Sequence, residues 1–275
     1  MWWPTTVVAG VSVFVVWLAS DARRLRATGV NLRATRSADL RGADPTVWLV
    51  AHVDSKWQPV SMLVRVAGVC LLTLGLVVAF VSAALHARVA VFALVMTWFG
   101  GVPLMLSVVG ARNHGALDNA SGVTALLDAA ALMPPRCGVG VMITDAEELA
   151  LAGARAWARH ATPAIALNCD SVEDDGPLVV MYSGRRPDEI VSRLSAAAAA
   201  QHEPLRVTRL LPGILTDHVP LARAGWRTVT LSRGTIRTLL RIHTSRDTLA
   251  HLHGRGIAAA AQVLARVAME LAECK

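Results

Sequence analysis

The chain has 275 residues, 54% of them apolar and 17% charged, with a mean hydropathy of +0.46. That apolar share exceeds the ~45–50% of ordinary soluble proteins and excludes a wholly water-borne chain. The net charge of +7 could suggest nucleic acid, but the arginines cluster beside apolar runs and elsewhere alternate with acids. Anionic lipid headgroups are therefore the expected partner, and no nucleic acid is expected.

Three charge-free runs supply the apolar excess: Trp2 to Ser20, Val66 to Leu85 and Val89 to Val109. Each has about the ~20 residues a helix needs to cross ~30 Å of hydrocarbon. The first opens Met1, Trp2, Trp3, Pro4, without the positive start of a cleaved signal peptide, and reads as an anchor. Arg23, Arg24, Arg26, Arg33, Arg36 and Arg41 crowd its exit, and cationic flanks stay cytoplasmic. Only His86, Ala87 and Arg88 join the second and third runs, so these form a hairpin that returns the chain to the side it left. The expectation is a multi-pass membrane protein: an anchor at 2–20, the first part of a folded domain at 21–65, a helical hairpin inserted at 66–109 and the rest of the domain at 110–275, with its polar parts on the cytoplasmic side.

Cys70, Cys137, Cys169 and Cys274 show no CxxC spacing and no paired pattern, which predicts free thiols in a reducing compartment and no cysteine-held metal.

Outside the three runs about 215 residues remain, enough for one domain with a sizeable core. Short β-rich runs fall at Thr46 to Val53, Gly138 to Thr144, Ala164 to Cys169, Leu178 to Tyr182, Leu205 to Leu210 and Thr228 to Ser232. Helical periodicity falls between them, at Gly122 to Leu132, Glu147 to His160, Pro187 to Gln201 and Ile257 to Glu273. That alternation predicts an α/β fold.

The chemistry-bearing residues sit at the predicted strand ends and helix starts. In AHVDS, His52 and Asp54 are two apart at a strand end and point to one face, where a carboxylate can orient an imidazole for a metal. In GALDNASGV, Asp118 precedes the turn that opens a helix, and its two oxygens could be shared between two cations. TDAEELALAG sets Glu147 and Glu148 side by side in the first turn of a predicted helix. Helix neighbours diverge by about 100°, so Glu148 can ligate a metal while Glu147 acts as general base on the attacking water. Asp170 in NCDS ends a strand, and His243 in RIHTSRDTL follows a loop, with Asp247 four residues on. Carboxylate oxygens mixed with imidazoles suit zinc or manganese, and five such ligands suffice for two ions bridged by one carboxylate.

In this order, H-x-D, D-N-A-S-G, E-E, N-x-D and H-T-x-x-D-T closely resemble the zinc exopeptidases of metallopeptidase family twenty-eight, over Val47 to Leu252 apart from the hairpin. These include bacterial leucyl aminopeptidases, glutamate carboxypeptidases and, more distantly, glutaminyl cyclases. The resemblance implies a mixed twisted β-sheet flanked by helices, with three transmembrane helices added here. It also implies two zinc ions, one held by His52 and Asp170, the other by Glu148 and His243, with Asp118 bridging. Asp54 would orient His52, Glu147 would be the acid/base residue, and TDHVPLARAG would bring Asp217 and His218 to the substrate pocket. The activity implied is a membrane-anchored aminopeptidase acting on peptides. A single-zinc acyltransferase of the glutaminyl cyclase kind or a non-catalytic binding relative is the alternative. Ile242 stands where some members carry a tyrosine, and Leu117 where many carry a further polar residue. A small transporter is disfavoured, because the three runs carry no intramembrane charge.

Overall fold

The computed structural model describes residues 29–35, 44–85, 89–110, 113–211 and 214–274. In chain order its elements are β1 (Leu32–Thr35), β2 (Val47–His52), α1 (Met62–Ala84), α2 (Ala90–Met105), α3 (Ser121–Leu132), β3 (Val139–Thr144), α4 (Ala152–His160), β4 (Ile165–Val172), β5 (Leu178–Tyr182), α5 (Asp188–Ala200), β6 (Leu205–Arg209), α6 (His218–Arg223), β7 (Arg227–Arg233), α7 (Ile236–Arg241) and α8 (Arg255–Leu271). They fall into two compact units, one formed among the described residues by 64–108, the other by 29–63 and 109 onward. The expected first span at 2–20, the 86–88 link, and Arg23, Arg24, Arg26, Arg36 and Arg41 lie outside the described residues.

The smaller unit is a pair of apolar helices. Thr73, Thr97 and Ser107 each donate their hydroxyl to the carbonyl four residues earlier, at 2.8 Å, so none of these hydroxyls needs water. Gly68 and Gly75 of α1 lie against the backbone around Gly100 and Thr97 of α2, close enough that a Cβ on either would collide. Small residues of this kind allow close helix approach where no hydrophobic effect drives association. Among the described residues, α1 alone is long and apolar enough to cross a membrane, with a mean hydropathy of 2.5. Three such helices were expected. Helix α2 stops at Met105 although the charge-free run continues to Val109, and its 16 residues, with Pro103 inside, rise only ~24 Å.

The larger unit is built on a seven-stranded sheet in the order β1-β3-β2-β4-β7-β5-β6. β3, β2, β4 and β7 run parallel, β1 is antiparallel to β3, and β5 is antiparallel to β7. This is the mixed, helix-flanked α/β sheet anticipated from the sequence. All six residues of β2 are buried, as a central strand covered on both faces requires. Val47, Leu49 and Ala51 point into one core with α3, α5 and α8. Trp48 and Val50 point into the other with Met142, Ala166, Leu221, Trp226 and, on α4, Trp157. Leu49, Leu126 and Leu167 are among the fully buried side chains, each contributing roughly 1.5–3 kcal/mol.

Two expectations need correcting. The helix expected from Glu147 begins at Ala152, after Ala146, Ala150 and Leu151 have adopted positive φ. Residues 147–151 are therefore an irregular loop. And Cys137 and Cys274, expected as free thiols, form a disulfide with a Cα–Cα distance of 5.2 Å, while Cys70 and Cys169 remain free.

Candidate metal centre

The parallel strands β2, β3 and β4 end side by side, and open α/β sheets place ligands at such carboxyl edges. His52 is the last residue of β2, Glu147 and Glu148 follow β3, and Asp170 lies near the end of β4, where register shifts between Cys169 and Val172. Asp118 sits in the irregular turn Ala116–Ala120 that leads into α3, and His243 follows α7.

These residues converge. Asp118 lies between the two histidines, its Oδ1 3.1 Å from His52 Nε2 and its Oδ2 2.8 Å from His243 Nε2. Asp170 Oδ1 is 3.7 Å from His52 Nε2, and Glu148 Oε1 is 2.9 Å from His243 Nε2. Two groups of three potential ligands result, His52 with Glu147 and Asp170, and Asp118 with Glu148 and His243, the ligand atoms of each within 4.8 Å of one another. All are buried except Glu148, which is half-buried. Glu148 Oε1 is enclosed and accepts no hydrogen bond, although it lies beside the His243 ring. A buried carboxylate oxygen facing an imidazole nitrogen, among further carboxylates, is the environment a divalent cation satisfies, and this donor set suits zinc.

Asp54 does more than was expected of it. Its backbone carbonyl is 3.0 Å from His52 Nδ1, while its carboxylate Oδ1 stands 3.6 Å from that nitrogen. The carboxylate instead accepts the amides of Glu147 and Glu148, at 2.9 and 3.0 Å. One short segment thus fixes the His52 ring and the loop carrying both glutamates. His243 is held with φ +66°, and its carbonyl accepts the amide of Gln58 at 2.7 Å. Positive φ in a non-glycine residue is a strain that tends to gather at functional sites.

The turn before α3 is tied to β4 through Asn119, whose Oδ1 accepts the amides of Gly122 and Ser171 and whose Nδ2 donates to the Cys169 carbonyl, each at 3.1 Å. Gly122 is required here, because a Cβ would collide with Asn119 and with the Cys169 carbonyl.

Charge follows geometry. Burial disfavours a charged His52, but Glu147 and contacts with Asp118, Asp170 and Asp54 carry it well above its ordinary value. Burial likewise opposes a charged Asp118, yet His243 and His52 hold it far below the usual carboxylate range. Burial pushes Glu147 well up against the pull of His52, helped by the carboxylates of Glu148, Asp170 and Asp217. A carboxyl raised in this way is suited to exchanging protons near neutrality.

Asp217 and His218, expected at the substrate pocket, are completely buried instead. The Thr144 hydroxyl bonds to Asp217 Oδ2, and His218 Nδ1 pairs with the hydroxyls of Thr216 and Thr230 at 2.6 and 2.7 Å. Asp217 Oδ1 and His218 Nε2 have no hydrogen-bond partner among the described residues. Two residues went unassigned in the sequence. Lys56 pairs with Glu148 Oε2, and Asp247 accepts the backbone amides of Leu117 and Asp118. Asp247 stands inside a quoted motif, four positions past His243, and Lys56 directly follows one, two positions past Asp54.

The Peptidase family M28 profile matches residues 31–268. The chain belongs to this family. No curated protein sequence matches it. Among solved structures it resembles a zinc aminopeptidase from Bacillus subtilis, at 18% identity and a TM-score of 0.58, over 87% of this chain and 49% of that one. It also resembles LapA from Legionella pneumophila, at 14% identity and 0.58, over 93% and 63%. A glutaminyl cyclase from Bacteroides thetaiotaomicron, solved with N-acetylhistamine, aligns at 18% identity and 0.51, over 91% and 86%. The M28 chain thus spans about half the length of the B. subtilis enzyme.

Proposed function

We propose that this M28 chain is a membrane-anchored di-zinc metallopeptidase that hydrolyses amide bonds, an aminopeptidase removing N-terminal residues from peptides. The observation that carries the reading is Asp118, whose two oxygens face two separate histidines, each with a further carboxylate beside it. His52 and Asp170 would hold one ion, Glu148 and His243 the other, and Asp118 both. When bound, zinc polarises the scissile carbonyl and makes the attacking water more acidic. Glu147, buried and raised in pKa, takes the water's proton and passes it to the departing amine. Asp54 keeps His52 and the Glu147–Glu148 loop in register through the bonds described above. Ile242 offers no hydrogen bond to the developing oxyanion.

The domain would be interrupted by the apolar helix pair at 66–109, of which α1 is long enough to cross a bilayer, and preceded by the anchor at 2–20. The Arg23 to Arg41 cluster suggested the cytoplasmic side, but disulfides persist in oxidising compartments, and the charge bias governs short loops more than long domains. The Cys137–Cys274 bond therefore favours the outer face.

The alternative, a single-zinc acyltransferase akin to glutaminyl cyclase, is favoured by one feature, the ammonium of Lys56 against Glu148 in the second ligand group. The deciding experiment measures zinc content of the detergent-purified full chain alongside release of N-terminal residues from a peptide panel. Two zinc ions per chain and chelator-sensitive release that zinc restores are expected; one ion and cyclisation of N-terminal glutamine would give the alternative.

A further inference from the structure

The two ligand groups are not electrostatically equal. The group of His52, Glu147 and Asp170 has no lysine or arginine paired to it among the described residues, whereas Glu148 of the other group carries Lys56 on its Oε2. This lysine is not a loose surface residue. Its side chain is only 14% exposed, and its carbonyl accepts Asn113 Nδ2 at 2.9 Å. The next residue, Trp57, exchanges two backbone hydrogen bonds with Gly110, both at 2.8 Å. Gln58 then donates to the His243 carbonyl, so the segment bearing Lys56 is stitched to the segment bearing the His243 ligand.

We propose that Lys56 is a positioning residue that sets the order of metal filling: it occupies one oxygen of Glu148, leaves only Oε1 toward His243 and Asp118, and makes the second ion the weaker and more exchangeable of the two. The inference rests on the two-ion reading above. The physical ground is simple. A divalent ion in the Asp118–Glu148–His243 group meets a fixed positive charge at contact distance from one of its own ligands, and repulsion between partly buried charges is poorly screened. Lys56 also denies that ion a bidentate carboxylate. The His52–Asp170 group meets neither penalty, so it fills first, and occupancy of the second follows ambient zinc.

The test titrates zinc alone into chelator-stripped, detergent-purified full chain by calorimetry, for the natural protein and for Lys56→Met and Lys56→Arg. The natural protein is expected to bind in two phases, the second at least about tenfold weaker than the first. Lys56→Met tightens the second phase at least about tenfold and leaves the first unchanged, while Lys56→Arg, which keeps the charge, retains both natural phases. Two equally tight phases in the natural protein would overturn the proposal, and they decide it even if the Met variant does not fold. An unchanged second phase in Lys56→Met, or an Arg variant behaving like Met, would overturn it while leaving the zinc site intact. Absence of any zinc binding would overturn the proposed function as well.

Discussion

Asp247 holds Asp118 by its backbone: Oδ2 accepts the Asp118 amide at 3.2 Å while Oδ1 accepts the Leu117 amide at 2.6 Å. Asn113 Nδ2 adds a bond to Oδ2 at 3.4 Å. The carboxylate that faces both histidines is thus aimed by a second carboxylate that acts through the backbone. Replacing Asp247 by Ala leaves two buried amides without acceptors and frees the turn to rotate. The expected outcome is a zinc affinity lower by about 10–100-fold, the usual effect of losing an outer partner, read by competition against a chelator of known strength. An unaltered affinity would make Asp247 a purely structural residue.

Glu147→Gln separates chemistry from metal binding. The amide is nearly isosteric, but it cannot take a proton from water, and removing a general base costs typically 10²–10⁴-fold. Hydrolysis should fall by about that factor with zinc content unchanged. If zinc is lost in parallel, Glu147 is a ligand of the His52–Asp170 group rather than its base, an assignment its position among those atoms makes worth testing.

The convergence of these side chains was legible because their residue types are rare in so apolar a chain and because each stands where a predicted strand or helix ends. The strands themselves were readable from β-branched runs, within a few residues at each end. The exception is β1, whose four residues are all exposed, with Arg33 among them, so no apolar alternation marks it. The loop at 147–151 read as helix because ALALAG has helical composition. Nothing local shows that Asp54, over 90 residues away, captures the two amides a helix start would leave open. Asp217 and His218 carried a motif but not their depth, which is set by Thr144, Thr216 and Thr230 on other segments. The disulfide was invisible for the same reason, since its partners are separated by 137 positions.

That disulfide ties the end of α8 to the segment entering β3. Cross-links closing long loops typically contribute about 2–5 kcal/mol. Cys274→Ser should therefore lower the melting temperature of the larger unit, with no change in the ligand geometry at the other end of the strands. In the natural protein taken from its membrane and denatured without reductant, a maleimide should label two thiols, Cys70 and Cys169, rather than four. Four labels would return the domain to a reducing compartment.

Neighbouring buried residues should give opposite pH dependences. Burial raises Asp217 to about 6 from an ordinary 3.8, against the pull of His52 and the Thr144 hydroxyl. Burial alone lowers His218 to about 4 from 6.5. Between pH 6 and 4 the folded protein binds more protons at Asp217 than the unfolded chain does, so acidification through that window stabilises the fold. At His218 it is the unfolded chain that binds more protons, so a fall from pH 6.5 to 4 destabilises it. Each shift of about two pKa units is worth up to about 3 kcal/mol, and in the natural protein the two nearly offset. Asp217→Asn removes the gain and should lose stability on acidification relative to the natural chain; His218→Asn removes the loss and should gain. Melting temperatures of chelator-treated proteins at pH 7 and pH 4.5 measure this directly. The sign of the difference between the two variants is the readout, because every other titrating group is common to both. Variants that shift in the same direction would mean that these two side chains do not titrate independently.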